Sequence, residues 1–199
     1  MAKLRVKELT LDQAEKIYIK YLKADFPPDE VKPFATIKKM WEEKHYRAYG
    51  FCEKESDEED SLCAYAFLMA DYEKRVLLLD YFAVCRRLRG SGYGSASLML
   101  LREECADWNG MVVEVEDDEL PGLDTETRNM RKRRIGFYTK AGCRMTTVRS
   151  VLWDVDYRIM VMPLMDCRAE ENAVEKIKSV YHCMYDERIL KKHFAITAE

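Results

Sequence analysis

Three of the eight glycines in this 199-residue chain fall within five positions, in RLRGSGYGS (87–95). Gly90, Gly92 and Gly94 alternate with Ser91 and Tyr93, with Arg89 just before them and Ser95 just after. Glycine brings no side chain to pack and loses the most backbone freedom on folding, so such a cluster needs a reason. A glycine-rich turn at a helix N-terminus presents several N–H groups that have no helical partner. They lie at the end of the helix where the dipole favours an anion. Side chains there would bar a phosphate from close approach. Phosphate binding is therefore one chemistry open to this stretch; the alternative is a tight turn that merely closes a strand onto a helix. A Walker A loop is excluded, because no GKS or GKT follows the glycines. The dinucleotide fingerprint is excluded by spacing, which here is G-x-G-x-G.

Either use needs a strand ending before the glycines and a helix starting after them. RVLLLDYFAVC (75–85) is a nearly continuous apolar run, as expected of a central strand buried on both faces. Leu98, Leu101, Cys105 and Trp108 recur at helical spacing behind the loop. Upstream, LRVKEL (4–9) alternates as a short strand, and Thr10 with Gln13 matches a capping box. That box opens a helix over about 11–24, stopped before Pro27-Pro28, and a second helix follows Pro33. Strands at about 46–52 and 63–70 flank an acidic, solvated loop, EKESDEEDS (53–61). MVVEVE (111–116) is a further strand, and Pro121-Gly122 ends that region. RNMRKRRIGFYTKAG (128–142) reads as a basic helix with Gly142 as its C-cap. CRMTTVRSVLWDV (143–155) and YRIMVMPLM (157–165) are two strands that can form a hairpin. Ala173, Ile177, Val180, Tyr181 and Met184 then make an apolar helical stripe. The order predicts a mixed α/β (α+β) fold: one largely antiparallel central sheet flanked by helices, with a C-terminal helical extension.

Composition narrows the function. A net charge of −3 gives no support to a nucleic-acid binder, which is usually strongly basic. No run of 18 apolar residues is present, so no transmembrane helix and no membrane partner are expected. The start, MAKLRVKELTLDQ, lacks the apolar segment of a signal peptide. Three histidines include no pair at metal-ligand spacing, and no metal is expected. Seven cysteines, an odd number without a CxxC pair, read as reduced thiols of a cytoplasmic protein.

The segment AVCRRLRGSGYGS (83–95) resembles the coenzyme A loop of the GNAT superfamily of N-acetyltransferases, whose pattern Q/R-x-x-G-x-G/A is filled by Arg89, Gly92 and Gly94. Ala83-Val84 ends the strand five residues before that arginine, as is usual in the family. RRIGFYTKAGC (133–143) resembles the family's FY-x-x-x-GF block, with Phe137-Tyr138 and Gly142, at the expected separation. The resemblance covers roughly residues 1–164. It implies an acetyltransferase domain over residues 1–165; residues 166–199 read as a helical extension packed on the same domain, as an acceptor lid or a homodimer contact. It further implies acetyl-CoA as co-substrate. The amides of Arg89, Gly90, Ser91, Gly92, Tyr93, Gly94 and Ser95 would cradle the diphosphate. The backbone around Ala83, at Phe82 and Val84, would pair with the pantetheine arm as an added strand.

The implied reaction is transfer of a short acyl group, acetyl, to an amine, expected to be a primary amine of a small molecule. Protein acetylation, or acyl-CoA binding without turnover, are the alternatives. The amine must lose a proton, and the departing thiolate, of a thiol with pKa about 8.5, gains from a proton donor. The resemblance assigns the donor to Tyr138, with a packing residue as the alternative. Candidate bases are Asp80, set in the apolar LLLDYFAV, and Glu114 and Glu116, which share one face of their strand. For each, a salt bridge with the basic helix or elsewhere is the structural alternative. EVEDDE (114–119) and RNMRKRR (128–134) are solvated or ion-paired runs unless they line a cleft, where the first favours a cationic acceptor. The chain departs from the family at Arg131, where an asparagine is common, which removes any cofactor contact made by that amide.

Overall fold

The structure, a computed structural model, describes residues 4–53 and 61–198. Most of the expected acidic loop, residues 54–60, lies outside the described residues. The chain divides into two units, the first running to Ala70 and resuming over Leu79–Cys105, the second comprising Asp71–Leu78 and the chain from Ala106. Among the described residues, eight strands form one sheet in the order β1-β2-β3-β4-β5-β7-β6-β8.

In the first unit, β1 (Leu4–Glu8) pairs antiparallel with β2 (Tyr46–Glu53), and β2 with β3 (Leu62–Asp71). Every residue of β3 is buried, which explains its unbroken run of apolar and small side chains. Thr10 closes the expected capping box on α1 (Leu11–Ile17): its Oγ1 accepts from the Gln13 amide at 3.3 Å, and its own amide donates to Gln13 Oε1 at 3.1 Å. The helix expected over 11–24 is interrupted. A π-helical turn (Tyr18–Leu22) separates α1 from α2 (Lys23–Asp25). The wider turn brings Tyr18 into the core beside Leu22 and leaves Tyr21 half-buried. α3 (Phe34–Glu42) starts at Pro33, as expected. β4 (Val76–Val84) begins in the second unit and ends in the first, where α4 (Tyr93–Glu104) follows.

In the second unit, Val76–Leu78 of β4 run parallel to Gly110–Val112 of β5 (Gly110–Glu116). β5 pairs antiparallel with β7 (Val155–Pro163), and β7 with β6 (Arg144–Leu152), the expected hairpin. Trp153 and Asp154 turn that hairpin, both at positive φ. α5 (Thr125–Lys140) is capped by Asp124, and Gly142, at φ 97°, stands one residue past the cap Ala141. α6 (Ala173–Met184) buries Ala173, Ile177, Val180 and Tyr181 of the predicted stripe and leaves Met184 half-buried. Two elements were not foreseen. α7 (Glu187–His193) is capped by Asp186, and β8 (Phe194–Ala198) pairs antiparallel with β6 at the sheet edge. β8 is only five residues long, too short for its alternation to stand out from background.

Candidate active site

The glycine loop lies where the sequence placed it, between the end of β4 and the start of α4. A single 3₁₀ turn, Arg86–Leu88, leaves the strand. Gly90 and Gly92 then take φ of 80° and 85°, the left-handed region that other residues enter at a cost. A Cβ on either would meet no atom within 4 Å, so packing does not require glycine at these positions. At Gly110, by contrast, a Cβ would lie 2.9 Å from Ala169 Cβ, so packing there does require it. Gly92 is the N-cap of α4, and no side chain caps the helix. The helical bonds begin with the Ala96 amide on the Gly92 carbonyl at 3.1 Å. The amides of Tyr93, Gly94 and Ser95 precede it and have no intrahelical acceptor. An open, uncapped N-terminus with a positive dipole end fits a diphosphate.

The rest of the loop is tied down within the first unit. The Arg89 amide donates to the Arg86 carbonyl at 3.3 Å, and that of Ser91 to Leu88 at 3.4 Å. The Arg89 guanidinium donates to Asp25 at 2.8 Å and, through Nε, to the Val84 carbonyl at 3.0 Å. Arg86 also reaches Asp25, at 3.2 Å, and Tyr65 donates to its second oxygen at 3.0 Å. Asp25 is thus the anchor of the loop, a role without any local sequence signal. Of the other expected cofactor contacts, Phe82 packs edge-on to Phe51 with ring centroids 6.5 Å apart, and Ala83 is buried. The Tyr93 phenol donates to Glu53 at 2.7 Å. Burial pushes the Cys63 thiol up to about 11 and raises that of Cys85, which follows β4 directly. Neither is a thiolate at neutral pH, and so neither is poised as a nucleophile.

The three carboxylates are all engaged. Asp80 belongs to the first unit. It accepts from Lys32 at 2.7 Å and from the Tyr46 hydroxyl, so both of its oxygens are taken. Glu116, in the second unit, is paired on one oxygen with Arg134 at 2.6 Å and on the other with Arg131 at 3.2 Å. Arg131 also donates to the Asp117 carbonyl at 2.7 Å, so the residue standing in place of the family's asparagine serves the fold. The acidic run continues as a network: Arg149 with Asp117 and Glu119, both at 2.5 Å, and Arg158 with Asp118 at 2.9 Å. For Asp80 and Glu116, and for most of the acidic run, the ion-pair alternative is what the structure displays. Glu114 Oε1 accepts from the hydroxyl of Tyr181 on α6. Tyr181 appeared in the sequence only as part of an apolar stripe, because a phenol on such a face reads as core.

Tyr138 lies on α5 and is 9% exposed, its ring edge-on to Phe137 at 5.2 Å. Burial raises its phenol above the ordinary value of 10, opposed by the charge of Arg134. It is therefore protonated at neutral pH, as a donor must be. Among the described residues, no group of three or more His, Cys, Asp or Glu side chains is placed to hold a metal ion. No helix among them is long and apolar enough to cross a membrane.

No curated protein matches the chain. Solved structures share its fold. A putative GNAT-family acetyltransferase from Bacteroides thetaiotaomicron aligns with a TM-score of 0.60 at 20% identity, over 91% of this chain and 99% of its own. The ribosomal-protein-S18-alanine N-acetyltransferase of Escherichia coli aligns with 0.53 at 18% identity, over 81% and 94%. A spermidine/spermine N-acetyltransferase from Vibrio cholerae aligns with 0.56 at 9% identity, over 81% and 92%. The acetyltransferase (GNAT) family itself matches residues 11–142, from the first helix through the glycine loop to the Gly142 that ends α5. With that match over most of its length, the chain belongs to the GNAT acetyltransferase family.

Proposed function

We propose that the protein is an N-acetyltransferase that moves an acetyl group directly from acetyl-CoA to a primary amine of a small molecule. The observation that carries this reading is the uncapped N-terminus of α4 behind two open glycines at the end of β4. Gly90, Gly92 and the amides of Tyr93, Gly94 and Ser95 hold the diphosphate, and the backbone around Ala83, at Phe82 and Val84, pairs with the pantetheine arm. The catalytic domain spans residues 1–165 and residues 166–199 extend it. Raised thiols at Cys63 and Cys85 argue against a covalent acyl-enzyme and for direct transfer.

The amine gives its proton to a carboxylate, directly or through a water. The neutral nitrogen then attacks the thioester carbonyl carbon, the C–S bond breaks, the sulfur takes a proton from Tyr138, and the second proton that the nitrogen sheds as the amide forms returns to the tyrosinate. Asp80, Glu114 and Glu116 are the candidate carboxylates for this step. A carboxylate base suits an acceptor that arrives as an ammonium ion, and a spermidine/spermine N-acetyltransferase stands among the structural neighbours. The reduced state of the thiols fits a cytoplasmic setting.

The test is an acceptor screen with acetyl-CoA, read by mass spectrometry of the products. Acetylated small amines support the reading. Acetylation confined to protein or peptide amines moves the acceptor to the class named for the Escherichia coli neighbour. Acetyl-CoA that binds and is never consumed makes the chain a binding module.

A further inference from the structure

Lys32 stands in the segment between α2 and α3, one residue before the Pro33 that opens α3. Its backbone is held on both sides. The amide donates to the Tyr81 hydroxyl at 2.9 Å, and the carbonyl accepts from the Tyr18 hydroxyl at 3.0 Å. Tyr81 in turn donates to the Glu30 carbonyl at 2.8 Å. From this fixed backbone the side chain reaches β4. Its Nζ lies 2.7 Å from Asp80 Oδ1 and 5.1 Å from the centre of the Tyr81 ring. The Tyr46 hydroxyl donates to the other Asp80 oxygen. The two charges are largely out of water, with side chains 17% exposed for Lys32 and 6% for Asp80. All these residues belong to the first unit. The segment is already anchored through two phenols, and in so shielded an ion pair desolvation offsets most of the attraction. Anchoring therefore does not account for the pair. What the pair does provide is a primary ammonium, the acceptor class of the proposed reaction, seated on a candidate base.

We propose that Lys32 is an acetylation site of the protein itself, with acetyl-CoA bound to the same chain as the donor and Asp80 as the base. The proposal rests on the acetyltransferase reading. In that reading the diphosphate sits beyond the end of β4, and the pantetheine arm pairs first at Val84 and then at Phe82. The arm thus runs back along the strand, and its sulfur end points toward Asp80. Two strand residues span only about 7 Å, so the thioester and the Lys32 amine approach the same carboxylate. The Lys32 ammonium gives one proton to Asp80. The neutral Nζ attacks the thioester carbonyl carbon, the C–S bond breaks, and the second proton shed as the amide forms goes to the departing sulfur. The products are Nε-acetyl-lysine and coenzyme A as its thiol, and Asp80 then releases its proton to water. The neutral amide ends the ion pair with Asp80, so each chain is modified once at this position.

The protein is incubated with acetyl-CoA alongside the acceptor screen, and acetylation is mapped and timed by peptide mass spectrometry. Lys32 is expected to gain its acetyl group at least about tenfold faster than the exposed Lys39, Lys74 and Lys191, at a rate independent of protein concentration. Acetic anhydride, which needs no bound cofactor, should reverse that order, because it meets the exposed lysines first. Asp80→Asn should slow acetylation of Lys32 roughly 10²-fold and leave that of the exposed lysines unchanged. Gly92→Val, aimed at the diphosphate, should also slow Lys32 alone, and this arm decides the matter if Asp80→Asn does not fold. A Lys32 that stays unmodified, or reacts no faster than the exposed lysines, while an added amine is acetylated overturns the proposal and leaves the acetyltransferase reading intact. A rate at Lys32 that rises in proportion to protein concentration also overturns it, because the acetyl group then comes from another chain. Absence of transfer to any acceptor, Lys32 included, is a failure of the acetyltransferase reading and takes the proposal with it.

Discussion

Tyr138 combines two properties that seldom occur together on a helix surface: near-complete burial and the chemistry of a proton donor. Burial raises its phenol above 10, so it is a weaker acid than the thiol it would protonate, near 8.5. A donor of that strength acts chiefly by hydrogen-bonding the charge that develops on sulfur as the C–S bond breaks. Tyr138→Phe is accordingly expected to leave coenzyme A affinity unchanged and to lower kcat roughly 10²-fold or more, measured where chemistry limits the rate. The sign of the pH effect follows as well. The active form is the protonated one, present below a pKa that lies above the usual 10, so kcat of the unaltered protein should not decline between pH 7 and pH 10 through loss of this proton. A kcat near that of the unaltered protein in Tyr138→Phe would make the residue a packing partner of Phe137.

At the scale of the element, the loop and α4 form one device whose two ends have different needs. The upstream end is rigid because Arg89 and Arg86 converge on Asp25, which is itself held by Tyr65. At the downstream end the glycines keep the space above the helix N-terminus clear. Gly92→Val separates the two. A β-branched residue at φ 85° costs about 1–2 kcal/mol in backbone strain, but its Cβ meets no protein atom within 4 Å. The variant should fold with a modestly lowered Tm and bind coenzyme A at least about tenfold more weakly by calorimetry, because its branched side chain occupies the diphosphate's place. Unchanged affinity in the folded variant would show that the phosphates lie elsewhere. Gly110→Ala is the control: it crowds Ala169 and should destabilise the fold with no direct effect on the loop.

For the whole molecule, charge is abundant yet nearly balanced, with 33 basic against 36 acidic side chains, and much of it is paired across long stretches of sequence. Among the described residues, Asp124, Glu170 and Glu187 have carboxyl groups held below their ordinary range. Asp124 is lowered by bonds from Thr127, Glu170 by a backbone amide and Arg144, and Glu187 by Lys191. A carboxylate with a depressed folded value contributes stability that is present above its unfolded value, about 4, and is lost as pH falls through the folded one. The melting temperature should therefore fall progressively below about pH 4 in a calorimetric series. A flat profile down to pH 3 would show that these bonds do not outlast competition from water.

Much of the molecule was legible in the sequence where the governing physics is local. Glycines that need positive φ, a threonine that caps a helix, and an apolar run buried on both faces are short-range signals. They placed the glycine loop, the helices beside it and most strand boundaries. The interruption of the first helix escaped because a π-helical turn leaves no mark in hydrophobic periodicity. Tertiary structure alone decided how the charged candidates are used. Lys32 and Asp80 are 48 positions apart, Asp25 and Arg89 are 64 apart, and Glu114 and Tyr181 are 67 apart. No periodicity or motif links such pairs. Whether a carboxylate meets an ammonium, a guanidinium or a phenol depends on which elements the fold brings against it.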